Sequence, residues 1–120
     1  MKNKTRKQID DFNNEALEIL EFYGAEKRKN EFDSDVFVID SDKIGKLTIK
    51  LDHDISKVYT IYTRFEDAER AKKYFDCGFL GKMNYHGFFN GEGLCFLDEL
   101  LDNYNKINGI DKHEEYIAAQ

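Results

Sequence analysis

Residues 46–51, Lys46-Leu47-Thr48-Ile49-Lys50-Leu51, alternate a polar and an apolar side chain over six positions. Successive side chains of an extended chain point to opposite faces. This alternation therefore describes a β-strand with Leu47, Ile49 and Leu51 turned to a core and the lysines and threonine turned to water. A strand needs partners, and the flanks supply them. Asp40-Ser41-Asp42-Lys43-Ile44-Gly45 carries turn chemistry, and the run Val36-Phe37-Val38-Ile39 before it is β-rich and too short for a helix. After the strand, Asp52-His53-Asp54 makes a second turn and residues 58–63 a third strand. An antiparallel three-stranded meander is expected.

Helical patterns lie on either side. Thr5-Arg6-Lys7-Gln8 matches a capping box, and Ile9, Phe12, Ala16, Ile19, Leu20 and Tyr23 then recur at helical spacing, with Gly24 as the stop. The spacing predicts a helix over 6–23. Residues 25–34 are polar and charged and read as a loop, with a short edge strand as the variant. A short helix over 66–75 has acids at its start and lysines at its end, in accord with the helix dipole, and turns Ala68, Ala71 and Phe75 to the sheet. Glycines cluster at 78, 81, 87, 91 and 93, and a fourth strand is expected at 82–89. Leu94, Phe96, Leu97, Leu100, Leu101 and Tyr104 form the apolar face of a last helix that Gly109 ends. Residues 110–120 are expected to be a frayed tail. The order is α-β-β-β-α-β-α, an α+β fold in which helices pack on an antiparallel sheet of three to four strands. The first five elements share their order with double-stranded RNA-binding domains. Those bind through basic residues at the start of the second helix, where this chain has Glu66, Asp67 and Glu69, so the similarity is one of topology alone.

At 120 residues the chain fits one domain, 1–120. Ten Phe and seven Tyr enrich a hydrophobic fraction of 41% in large rings, each able to bury roughly 150–250 Å². The formal net charge of −6 argues against direct binding of nucleic acid, which requires cations to displace counterions from phosphates. It suits a partner with a basic surface. Neither a secretory signal nor a membrane span is legible, so the expected compartment is the cytoplasm, where Cys77 and Cys95 stay reduced.

Several constellations carry residue types that do chemistry elsewhere. Asp40 to Gly45 opens like a calcium loop, yet Ile44 and Leu51 stand where oxygen ligands are required, which makes it a hairpin turn. Asp52-His53-Asp54 reads as a solvated turn, and the basic clusters at Lys2, Lys4, Arg6, Lys7 and at Lys27, Arg28, Lys29 as solvated faces. Cys77, His86 and Cys95 are evenly spaced, with glycines between them, and supply three of the four ligands of a structural zinc. The fourth would be an acid, His113, water or a partner group. The competing reading places Cys95 in the core. Lys82, Asn84 and His86, on one face of the fourth strand, are then candidates for partner contact. No motif specifies a reaction, and no enzymatic activity is expected.

Residues 62–72, Tyr62-Thr63-Arg64-Phe65-Glu66-Asp67-Ala68-Glu69-Arg70-Ala71-Lys72, followed by Gly81-Lys82-Met83-Asn84-Tyr85-His86-Gly87, resemble a strand-helix-strand unit of small phage proteins from low-GC Gram-positive hosts. Met83 departs from that pattern, which favours an aromatic residue there. The abundance of Lys, Asn, Ile, Phe and Tyr, all spelled by A/T-rich codons, points the same way. In size, acidity and mixed architecture the chain is similar to anti-CRISPR proteins. That resemblance implies an inhibitor acting in the host cytoplasm on a large basic protein or nucleoprotein, an RNA-guided DNA nuclease being the leading candidate. A small zinc protein, or a phage regulator of a host replication or transcription protein, is the alternative.

Overall fold

The computed structural model describes residues 6–29, 31, 33, 35–52, 60–76 and 91–120. The chain begins with α1 (Arg6–Phe22), then forms four strands, β1 (Glu26–Lys29), β2 (Asp35–Ile39), β3 (Leu47–Asp52) and β4 (Thr60–Phe65). A one-turn helix α2 (Ala68–Ala71), a long helix α3 (Gly91–Ile107) and a short helix α4 (Lys112–Ala118) complete it. The strands lie in sequence order as one antiparallel meander, with Val38 opposite Glu26 and Thr48, and Thr48 opposite Arg64. The α+β class and the antiparallel sheet with helices on it are as the pattern indicates.

The alternation at 46–51 settles which face is buried. Leu47 and Ile49 are fully covered, and Phe37 and Ile39 on β2 and Ile61 and Phe65 on β4 are buried with them. Phe12, Ala16 and Leu20 of α1, Tyr23 just beyond its end, and Leu97, Leu100, Leu101 and Tyr104 of α3 close onto this face in one cluster. Both long helices end in the same way. The Gly24 amide donates to Glu21 O (3.1 Å) and the Ala25 amide to Leu20 O (2.9 Å), and Gly109 and Ile110 repeat the pattern onto Lys106 O and Asn105 O. Gly24 (φ 86°) and Gly109 (φ 80°) occupy the left-handed region that this C-terminal motif requires. Among the described residues, no helix is long and apolar enough to cross a membrane.

Four expectations need amendment. The described fourth strand is β1, at the sheet edge in the segment 25–34 read chiefly as a loop, whereas 82–89 lies outside the described residues, as does the Thr5 cap. The second helix is one turn, not ten residues. Lys73 and Tyr74 amides bond three residues back, which tightens the chain and brings Phe75 onto Phe65, with centroids 5.2 Å apart. Ala71 and Phe75 are buried as expected, but Ala68, on the first turn, is exposed. Finally, the segment expected to fray carries α4. Asp111 caps it by accepting from the His113 and Glu114 amides (3.0 and 3.1 Å), and Glu114 and Glu115 lie at the positive end of its dipole.

Candidate functional site

The charge of this protein is unevenly placed. The outer surface of α1 holds Asp10, Asp11, Glu15, Glu18 and Glu21, all exposed, while Phe12, Ala16 and Leu20 on its other side are buried. At 100° per residue, Asp11, Glu15, Glu18 and Glu21 fall within about a third of the helix circumference. Asp11 pairs with Lys7 at 3.9 Å. Glu15, Glu18 and Glu21 make neither an ion pair nor a hydrogen bond among the described residues. The last turn of α1 has no basic residue, so Glu21 faces the negative end of the helix dipole, where a carboxylate costs a few tenths of a kcal/mol. Glu15, Glu18 and Glu21 thus add no paired contact to their own helix.

A second constellation joins the two ends of the chain. The Tyr23 hydroxyl donates to Asp98 Oδ1 (2.7 Å) and lies 2.9 Å from His113 Nε2. With the single phenol proton on the Asp98 side, His113 Nε2 carries a hydrogen and donates to the phenol oxygen. Asp102 completes the group. Its Oδ2 holds Lys106 (2.9 Å), while its buried Oδ1 has no hydrogen-bond partner among the described residues and sits 4.0 Å from His113 Nε2. The hydrogen bond to Asp102 raises the Lys106 ammonium pKa. Burial, then the Asp98 hydrogen bond, raises the Tyr23 phenol well above its ordinary range. A triad of Tyr, His and Asp has the residue types of acid–base chemistry. Yet Tyr23 is only 1% exposed, so its hydroxyl meets no substrate. The group acts as a clasp, with Phe22 against His113 and Tyr116 (5.2 and 6.2 Å), that seats α4 on α1 and α3.

The alkaline limb of stability follows from the two buried phenols, Tyr23 and Tyr104, both raised first by burial. A folded-state pKa above the unfolded value of about 10 means that the neutral form contributes fully below pH ~10 and loses that contribution as pH rises toward the folded value. Phenolate formation at these two sites, identified by difference from Tyr23→Phe and Tyr104→Phe, is expected only together with loss of native circular dichroism. Ionisation of both near pH 10 with unchanged dichroism would contradict their burial.

Of the residues singled out from sequence, Cys77, Lys82, Asn84 and His86 lie outside the described residues. Cys95 is described, and its side chain is exposed, which overturns the reading of it as core. The buried positions of α3 are 97, 100, 101 and 104, and position 95 shares the opposite side with Glu99 and Lys106. His113, considered as a fourth zinc ligand, is engaged with Tyr23. Among the described residues, no three His, Cys, Asp or Glu side chains are grouped to hold a metal ion. The α1 acids recur in the sequence at i, i+3 and i+4, a pattern shared by any solvated helix face and so no signal of a site on its own. Comparison with protein-family models, curated proteins and solved structures yields no significant match.

Proposed function

We propose that this chain is an inhibitory binding protein that lays the acidic outer face of α1 into a basic groove where a large partner otherwise holds nucleic acid. An anti-CRISPR protein blocking an RNA-guided DNA nuclease is the form of this reading that best suits its size and charge. The observation that carries it is the unpaired stripe Glu15, Glu18 and Glu21, held on a helix whose opposite face is locked into the core. From Asp11 to Glu21 the helix presents about one carboxylate per 5 Å of axis. A DNA strand presents one phosphate per ~3.4 Å, so the two linear charge densities are comparable. A preformed helix also presents its charges without a backbone ordering cost at the moment of binding.

Binding of this kind is salt-sensitive, because exposed charges are screened over about 8–10 Å near physiological ionic strength. Affinity for a guide-loaded nuclease, measured by interferometry, is expected to fall by about tenfold or more as salt is raised from low to several times physiological concentration. The free protein should bind neither DNA nor RNA duplex. An affinity indifferent to salt, or tight duplex binding by the protein alone, would rule the reading out.

A further inference from the structure

The face of the sheet turned away from the helices carries side chains outside the main core cluster, with Val36 alone of its described apolar residues buried. Across the strands, Glu26, Val38, Thr48 and Arg64 share one row, while Arg28 is opposite Val36 and Lys50 is opposite Tyr62. Over β1, β2 and β3 runs an open groove of about 730 Å³, with Val36 and Val38 in its floor and Arg28, Lys46 and Thr48 in its walls. Most described cations are already paired, Arg28 with Glu26 and Lys46 with Glu66 among them. Lys50 and Arg64 make neither an ion pair nor a hydrogen bond among the described residues. They stand on adjacent strands as diagonal neighbours, about 7–8 Å apart at the backbone. Tyr62, beside them, is 39% exposed.

We propose that this sheet face is a second docking surface and that it takes an extended peptide segment of a protein partner in which acidic and apolar residues are interspersed. The sign of the ligand follows from Lys50 and Arg64, two cations left without carboxylates in a chain of net charge −6. Its mixed character follows from the groove. Val38, half-buried, offers apolar contact beside the covered Val36, and Glu26 and Asp40 in the same walls repel a continuous polyanion such as a phosphate backbone. An extended peptide repeats its side chains on one face every ~7 Å, a spacing that seats an acid on the Lys50–Arg64 pair and an apolar residue over the valines. This surface lies across the molecule from the α1 acids, so it stands or falls independently of the inhibitory reading.

The test is fluorescence anisotropy with a labelled peptide of repeated Glu-Glu-Leu triplets against the full chain. The peptide is expected to bind, and the double variant Lys50→Glu with Arg64→Glu to lose about tenfold or more in affinity. The neutral pair Lys50→Gln with Arg64→Gln should lose less and, with unchanged circular dichroism, keeps the test valid if the reversal misfolds. Lys73→Glu makes the same kind of charge change on an exposed lysine that is likewise unpaired but off this face, and is expected to leave binding within about twofold. The proposal is overturned if the peptide does not bind, or if Lys73→Glu weakens it equally. It is also overturned if a Glu-Glu-Ser peptide binds as well, if oligothymidine of equal length binds more tightly, or if the face proves to hold a second copy, seen as self-association that the double variant abolishes.

Discussion

Tyr104→Ala is expected to destabilise this protein by about 3–5 kcal/mol, the range for emptying a buried aromatic site. Tyr104 is 1% exposed and its ring stacks on Phe65 at 6.5 Å and 14°. Its hydroxyl donates to Gly45 O (2.6 Å) and shares a contact with Ser41 Oγ (3.1 Å), which in turn accepts from the Ile44 amide (3.1 Å). One side chain of α3 thus fills the core and fastens the turn between β2 and β3. Typical domains have only about 5–15 kcal/mol to lose, so the melting temperature should fall by roughly 10–20 °C. Tyr104→Phe separates the two roles. It keeps the ring and strands Gly45 O, and is expected to cost about 1–3 kcal/mol. Thermal denaturation of both variants decides the matter. Equal losses would mean that the hydroxyl carries the whole effect, and a Tyr104→Ala loss under about 1 kcal/mol would contradict the packing described.

What could be read from sequence follows a physical divide. Local periodicity was legible, because the alternation at 46–51 and the helical spacing of Phe12, Ala16, Leu20 and Tyr23 are each written into a few consecutive residues. Stop signals at Gly24 and Gly109 were legible for the same reason. β1 was harder to read, since Glu26-Lys27-Arg28-Lys29 buries nothing and has no apolar alternation to reveal it. Its pairing rests on the backbone ladder and on Asp35, whose carboxyl is held below the ordinary range by its hydrogen bond to Lys29, with Lys27 adding to the effect. Helix α4 leaves no apolar pattern in the sequence because it buries none of its residues, although Asp111 and Glu114 have capping-box spacing. The Tyr23 clasp joins residues 75 and 90 positions apart, and the Tyr104 bonds span 59 to 65. Such contacts are set by tertiary packing and leave no local trace. The even spacing of Cys77, His86 and Cys95 was visible in sequence, but spacing does not bring side chains together in space, and Cys95 alone falls among the described residues.

The α1 stripe carries the second large effect. Glu15→Lys, Glu18→Lys and Glu21→Lys together are expected to weaken partner binding by at least about two to three orders of magnitude, or roughly 3–4 kcal/mol. In the proposed binding mode each reversal would remove an attraction and add a repulsion inside the same groove. Folding should be spared, because the three positions are exposed and unpaired, and a lysine near the end of α1 suits the helix dipole better than a glutamate does. A melting temperature within a few degrees of the parent, alongside lost binding, would separate a contact residue from a structural one.

The central claim is that the α1 acids and nucleic acid compete for one groove. It is tested most directly by measuring target-DNA binding to a guide-loaded nuclease as this protein is titrated in. The expected result is that DNA binding is lost as the protein saturates and is restored when the triple α1 variant replaces it. A ternary complex holding DNA and this protein at once, or full inhibition by the triple variant, would contradict the claim.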